Sequence, residues 1–343
     1  MVLACGLDRC IGDPQGWPHP VQAMGALITA GRRLGEGWAG DRTGRLRLAG
    51  TLVALLTVAL AGLAGWGIEQ LARRWPLAGV PLLLIGLASA LAGGSLERAV
   101  RAVLERLDEP QAARARLAWI VGRDVDGLDR AGILRAAAET ASENAVDGLF
   151  APLFWMLVGV ALWVPAPAPL GAFTPGPLCL AWIFKAASTL DSMVGYRRGR
   201  LRWFGTAGAR LDDLLTWLPC RLVALTLPLV ALPRVALPRL LLRPGQLIGR
   251  FRATLRDGRA DPSPNAGVSQ AAWAHATGVR LGGTNRYGGV ERSKPMLGPP
   301  GRGPEREDVE RMLQLSLRLE GLWLAASAVS LAVLAGWTAR PLQ

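Results

Sequence analysis

The sequence predicts an all-α, polytopic integral membrane protein with a large polar face built from inter-helix loops. The chain is apolar for a soluble protein: 51% of its 343 residues are hydrophobic and the mean hydropathy is +0.27. Its apolar residues gather into uncharged runs close to the ~20 residues that a helix needs to cross a bilayer. Polar stretches lie between the runs, and the formal net charge is +13. Arginines beside spans meet anionic headgroups and set orientation. No block of five or six like charges marks a nucleic-acid arm, so no nucleic-acid partner is expected. Tryptophan (13 residues against 2 Tyr) falls near the ends of apolar runs, as at Trp66, Trp75, Trp163, Trp217 and Trp337, which suits a bilayer interface. Cys5, Cys10, Cys179 and Cys220 form no CxxC pair and have no histidine nearby, so they read as small apolar residues, not zinc ligands.

A single membrane-embedded domain over 1–343 is expected. The first polar block, 11–25, reads IGDPQGWPHPVQAMG. Its prolines exclude a helix until after Pro20 and leave Asp13 and His19 on extended chain. Residues 32–47 form a basic amphipathic stretch for the membrane surface. Uncharged runs at 48–68 and 75–96 predict two spans, with Arg73 and Arg74 in the turn between them. Residues 97–147 have the composition of water-exposed helices, broken at Pro110.

The last of these helices ends in the block 139–147, ETASENAVD. Glu139, Glu143 and Asp147 are spaced i, i+4, i+8 and share one stripe, with Asn144 beside them. The stripe is either solvated or binds cations. Because the apolar run 148–164 begins immediately after it, the cation-binding alternative gains weight, for example as ligands for Mg²⁺. A proline-rich linker, 165–177, leads to a returning span at 178–196. Its Lys185, Ser188 and Asp191 lie within or at the edge of the membrane helix, where ionisable groups mark function. The polar block 185–213 continues past Tyr196 and a basic loop to Asp212 and Asp213. Residues 214–248 are apolar but carry Pro219, Arg221, Pro228, Pro233, Arg234 and Pro238, which predicts a bent or re-entrant segment. Returning the chain there keeps the four polar blocks on one side of the membrane. The last span, 321–339, follows a charged helix at 305–320.

The block 256–295 is the most polar. Residues 261–265 form a turn and N-cap cluster, 266–277 read as a helix, and Gly278 as its C-cap. GGTNRYGG follows at 282–289, a loop whose glycines Gly282, Gly283, Gly288 and Gly289 could bring backbone N–H groups onto a phosphate. Arg286, Arg292 and Lys294 would add cationic partners. Lysine occurs only at Lys185 and Lys294, histidine only at His19 and His275, tyrosine only at Tyr196 and Tyr287, and asparagine only at Asn144, Asn265 and Asn285. All of these fall in the four polar blocks.

Those blocks resemble a known family. GDP…WPHP near the start, ETASENAVDGLFAPLFW at 139–155, KAASTLDSMVGY at 185–196, ARLDDLLTWLPCR at 209–221, and DGRADPSPNAG, GGTNRYGG and KP within 257–295 are similar to the CobD/CbiB family. Its members are membrane proteins of cobalamin biosynthesis, the adenosylcobinamide-phosphate synthases. The resemblance covers most of the chain in order. It departs at the start, where a longer apolar lead usually precedes the first Asp-rich block. It implies an amide ligation. The free carboxylate of the corrinoid adenosylcobyric acid is joined to (R)-1-amino-2-propanol or its O-phosphate, with ATP and Mg²⁺. No Walker A or ATP-grasp signature accompanies it, so nucleotide use is implied by the resemblance alone.

On that reading Glu139, Glu143 and Asp147, with Asp191, hold Mg²⁺. Lys185, Arg286 and Lys294 grip phosphate with the backbone of Gly282 to Gly289. Asp257, Asp261 or His275 manages the proton. Asp13, His19, Asn144, Tyr196, Asn265, Thr284, Asn285 and Tyr287 are the remaining substrate-binding candidates. The expected setting is the cell (inner) membrane, with the active-site loops facing the cytoplasm and other cobalamin-pathway enzymes as partners. The alternative is a non-catalytic transporter or scaffold for corrinoid intermediates, which intramembrane Lys185 and Asp191 would also suit.

Overall fold

A computed structural model describes residues 1–12, 16–163, 173–232 and 244–338. The helices are α1 (Val2–Cys10), α2 (Pro20–Ala39), α3 (Thr43–Arg74), α4 (Pro76–Ala90), α5 (Gly93–Leu104), α6 (Pro110–Leu117), α7 (Arg130–Ala145), α8 (Ala151–Trp163), α9 (Pro177–Val194), α10 (Leu201–Phe204), α11 (Thr206–Ala231), α12 (Pro244–Gly258), α13 (Ala266–Thr277) and α14 (Arg306–Thr338). One π-helical turn, Val146–Phe150, joins α7 to α8, and strands β1 (Leu281–Tyr287) and β2 (Val290–Leu297) pair antiparallel. The protein is thus all-α apart from one hairpin.

Among the described residues four helical stretches are long and apolar enough to cross a membrane: Thr43–Arg74, Arg130–Trp163, Thr206–Ala231 and Arg306–Ala332. The pair α4 and α5, bent by 41°, would make a fifth. The fold is that of a polytopic membrane protein. The run at 75–96, read as one span, is broken: α4 ends at Ala90, and the Ala92 N–H turns aside to donate to the Gly148 carbonyl at 2.7 Å. α9 covers the segment expected at 178–196. Its Lys185, Ser188, Thr189, Asp191 and Ser192 keep it outside the set of spans that are apolar enough alone.

The expected bend in 214–248 does not occur in its first half. α11 continues through Pro219 and Pro228 to Ala231. A proline removes the N–H that would bond the carbonyl four residues earlier. At Pro219 the Leu215 carbonyl is instead satisfied by Trp155, whose Nε1 donates at 3.0 Å. The part of that expected segment at 233–243 lies outside the described residues.

The chain, read above as one domain, forms two compact units. One is Met1–Gly94 with Asp147–Thr216, the other Ser95–Val146 with Trp217–Gln343. The first unit packs α3 against α2, α9 and α10 around Ile28, Ala49, Leu190, Val194 and Phe204. α3 and α10 approach so closely that a Cβ at Gly50 would lie 1.8 Å from the Phe204 carbonyl oxygen.

α3 also carries an ionisable side chain into this apolar interior. Glu69 is fully buried and accepts from the backbone N–H groups of Gly176, Leu178 and Cys179 at 2.9, 2.6 and 2.9 Å. These are unsatisfied amides at the N-terminus of α9, where the helix dipole favours an anion. Glu69→Ala strands all three in a buried setting and is expected to destabilise the protein by about 1–3 kcal/mol. Glu69→Gln, which keeps an acceptor, falls between. The midpoint of heat unfolding in detergent reads the difference, and equal midpoints for all three proteins would remove the capping role.

In the second unit α7, α13 and α14 pack together. Trp273 is wholly buried, and its Nε1 donates to the Met312 carbonyl at 3.3 Å. α13 begins and ends where the sequence indicates. Ser263 Oγ accepts from the Ala266 N–H at 3.1 Å, and Gly278 closes the helix in the left-handed conformation.

The glycine-rich stretch read as a loop is instead β1 and the start of its turn. Gly288 and Gly289 have φ of +57° and +81°. Two successive positive φ values suit the primed turns of tight hairpins. The hairpin register runs from Tyr287 opposite Val290 to Gly283 opposite Lys294, with an irregularity between Leu281 and Gly283.

Candidate functional site

Within the second unit the polar residues converge where α7, the hairpin and α13 meet. Two turns of α7 present Glu139 and Glu143. Glu139 is 1% exposed and fully engaged: Arg123 Nη2 donates to its Oε2, and the Gly282 N–H donates to its Oε1 at 2.8 Å. Arg123 in turn donates through Nη1 to Asn285 Oδ1 at 2.6 Å. The π-helical turn begins just after α7, and Glu143, one turn beyond Glu139, accepts from Gln270 Nε2 of α13 at 2.8 Å.

Lys294 of β2 is half-buried beside this group. Burial alone would pull its ammonium below the usual lysine range. The negative charges of Glu143, Asp261 and Glu139 outweigh that and hold it above. Gln270 Oε1, Asp261 Oδ2 and Asn285 Nδ2 are buried and have no partner among the described residues. Buried polar atoms are normally paired, so such a set marks a place for water or ligand. The site therefore joins Glu139, Glu143, Asp261, Asn285 and Lys294, all read from the sequence, to Arg123 and Gln270, which were not.

Other predicted residues have different surroundings. The Gly288 and Gly289 N–H groups donate to Asp124 Oδ1 and Oδ2 at 3.0 and 2.7 Å, so a carboxylate stands where a phosphate was expected. These bonds hold the exposed Asp124 below its ordinary carboxylate range. Gly283 faces Arg135, whose Nη2 donates to the Thr284 carbonyl at 3.1 Å. Arg286 is exposed, and its carbonyl accepts from the Asp124 N–H. Tyr287 lies under Arg292, 5.9 Å from the ring centre. His275 Nε2 and Asp257 Oδ2 form their own pair at 2.8 Å between α13 and α12. Asn265 is a structural anchor: its Oδ1 accepts from Arg221 and its carbonyl from Cys220 Sγ. Asn144 donates to Thr140 Oγ1 at 2.7 Å.

In the first unit Asp191 of α9 lies within electrostatic reach of Asp212 and Asp213 of α11. Lys185, six residues earlier on α9, projects about 120° round the helix from Asp191. Tyr196 is exposed with Arg198 over its ring at 5.0 Å. His19 caps α2, its Nδ1 accepting from the Val21 N–H at 3.2 Å. Asp147 lies in the π turn. Asp13 lies outside the described residues.

Among the described residues no three His, Cys, Asp or Glu side chains converge as a ready metal site. The acidic stripe is divided in use, since Glu139 is committed to Arg123 and Gly282. The donors that suit a hard cation are Glu143 and the two unpartnered oxygens near it, Gln270 Oε1 and Asp261 Oδ2.

Residues 1–316 match the family model described as CobD/Cbib protein. The chain belongs to the CobD/CbiB family. It is 41% identical over 296 residues to the cobalamin biosynthesis protein CobD of Synechocystis sp., covering 85% of this chain and 79% of that one. It is 38% identical over 329 residues to the cobalamin biosynthesis protein CbiB of Salmonella typhi, covering 95% and 92%. With the cobalamin biosynthesis protein CobD of Pelobacter propionicus it shares 37% over 343 residues, covering 98% and 94%. No solved structure matches it.

In this CobD/CbiB chain the residues that sequence reasoning missed are Arg123, Asp124, Gln270 and Glu69. Arg123 and Asp124 sit in a short link without periodicity, and Gln270 falls inside a helix whose mostly apolar residues mark it as core. Only the ladder of hydrogen bonds gives them a role.

Proposed function

We propose that this CobD/CbiB chain works in cobalamin biosynthesis as a C–N ligase. It would join the free carboxylate of adenosylcobyric acid to (R)-1-amino-2-propanol or its O-phosphate, giving adenosylcobinamide or its phosphate. The observation that carries this reading is the half-buried Lys294 held among Glu143, Asp261 and Glu139, in a chain of this family. ATP, when bound, would supply the phosphoryl group that turns one carboxylate oxygen into a leaving group. Mg²⁺ supplies charge neutralisation and is ordinarily held by phosphate oxygens and one or two carboxylates. Glu143, with the unpartnered Gln270 Oε1 beside it, would hold it here.

The chain's own groups do the rest. Lys294 meets the negative charge that develops on the carboxyl oxygens. The Asp257–His275 pair takes the proton that the amine loses as the C–N bond forms and the phosphate oxygen departs. Arg123 keeps Glu139 and the hairpin in register beneath this group. The polar face would lie on the cytoplasmic side of the inner membrane.

The test uses detergent-purified protein with adenosylcobyric acid, MgATP and either the free or the phosphorylated amine. The corrinoid is expected to gain the mass of one amide-linked aminopropanol unit, with ATP consumed only when both substrates are present. Folded protein that yields no such product with either amine would overturn the ligase reading in favour of a transporter or scaffold.

A further inference from the structure

We infer that the second unit carries a binding cleft for a nucleoside phosphate, between α11, α12 and the turn that precedes α13. This deepens the ligase reading, on which it rests for the use of the nucleotide but not for its binding. The cleft has a volume of about 560 Å³, within the range of small-molecule sites. Trp217, Phe251 and Leu255 form its apolar wall, Arg259 and Asp261 its polar side.

Each wall component asks for a different part of one ligand. Trp217 is 51% exposed, and one face of its ring is covered by Arg221, whose guanidinium carbon lies 4.7 Å from the ring centre. The exposed part of the ring borders the cleft, where a planar aromatic group would stack on it. Arg221 is locked in place, donating to Asn265 Oδ1 and to the Trp217 and Pro264 carbonyls, so it holds the ring and does not grip a ligand. Arg259 is different. It is exposed at the cleft, and its guanidinium makes no hydrogen bond or ion pair among the described residues, which leaves it for an anion.

Asp261 is nine-tenths buried. Its Oδ1 accepts from the Ser263 N–H at 2.9 Å, and its Oδ2 has no partner among the described residues. It therefore calls for a hydroxyl or amino donor on the ligand. An aromatic base, a donor group and a phosphate together describe a nucleoside phosphate. An anionic lipid would bring the phosphate without the aromatic face. Asp261 also lies within electrostatic reach of Glu143 and Lys294, so a ligand seated here borders the lysine–carboxylate site.

The test is equilibrium binding of radiolabelled AMP-PNP, with Mg²⁺, to the full chain in phosphatidylcholine nanodiscs. Wild type is expected to bind, and Arg259→Gln to weaken binding roughly tenfold or more, as loss of a hydrogen bond to a charged group does. Trp217→Leu should weaken it as well. Arg259 is exposed, so its variant keeps the test decisive if Trp217→Leu fails to fold.

Unchanged affinity in Arg259→Gln overturns the cleft, as does absence of binding by folded wild type. Displacement of AMP-PNP when phosphatidylglycerol is added to the discs overturns it in favour of a lipid site. Substrate-dependent ATP consumption with full AMP-PNP affinity in Arg259→Gln would leave the ligase reading standing and place the nucleotide elsewhere. Arg259-sensitive AMP-PNP binding without any ligation would keep the cleft and sink the ligase reading.

Discussion

Arg123→Ala is expected to destabilise the protein by about 3–5 kcal/mol, the usual cost of removing one partner from a buried ion pair. Arg123 and Glu139 are 9% and 1% exposed. Without the guanidinium, Glu139 keeps only the Gly282 N–H, and Asn285 loses the donor to its Oδ1. The penalty is the uncompensated charge, so removing that charge as well should recover much of it. The double variant Arg123→Ala/Glu139→Ala is therefore expected to be more stable than the sum of the single variants predicts. Heat unfolding of the detergent-solubilised protein reads all four corners of this cycle. Strict additivity would mean that the pair contributes no coupling and that Glu139 is satisfied by the hairpin alone.

Lys294→Met is expected to lower ligation about 10²–10³-fold, the scale of losing one preorganised electrostatic contact, while membrane expression holds. Methionine preserves the bulk but leaves Glu143, Asp261 and Glu139 without the cation that faces them. Arg292→Met, two residues away on the exposed part of β2, is the control and should keep near wild-type turnover. A second readout concerns pH. Because the folded protein holds the Lys294 ammonium above its ordinary value of 10.5, its contribution to stability is complete below that pH. It is lost as pH rises through the elevated folded value. The wild-type hairpin should loosen in strongly alkaline solution, followed by hydrogen exchange or tryptophan fluorescence, and Lys294→Met should lack that component. Full turnover in Lys294→Met would remove it from the chemistry.

The spans and α13 were legible because their signals are local. The uncharged run at 48–68 falls within α3, the run at 321–339 lies in α14 as far as Thr338, and α13 is bounded by the turn in which Ser263 Oγ accepts from the Ala266 N–H and by Gly278. The hairpin was misread because glycine content argues for a loop unless the turn is seen first. Gly288-Gly289 between Tyr287 and Val290 is a hairpin signal as much as a phosphate-loop signal, and only the strand pairing decides between them. The acidic stripe was legible as a stripe, but not in its division of labour. Glu139 answers to Arg123 sixteen residues away and Gly282 far beyond, and such partners leave no trace in local spacing. Pro219 predicted a break that the distant Trp155 side chain prevents.

Glu69 also bears on the order in which the chain can be built. The amides that donate to it begin 107 residues later in the sequence. While α9 is still unmade, the end of α3 carries a carboxylate that lacks these three amide donors, and a charge in the hydrocarbon layer is costly. That end must wait at the headgroup level or carry a proton. When Gly176, Leu178 and Cys179 arrive, they complete the cap, and the last turn of α3 can settle to its final depth. On this reasoning insertion of the early helix would wait on synthesis of the late one, and a nascent chain halted before α9 is expected to keep the end of α3 shallow.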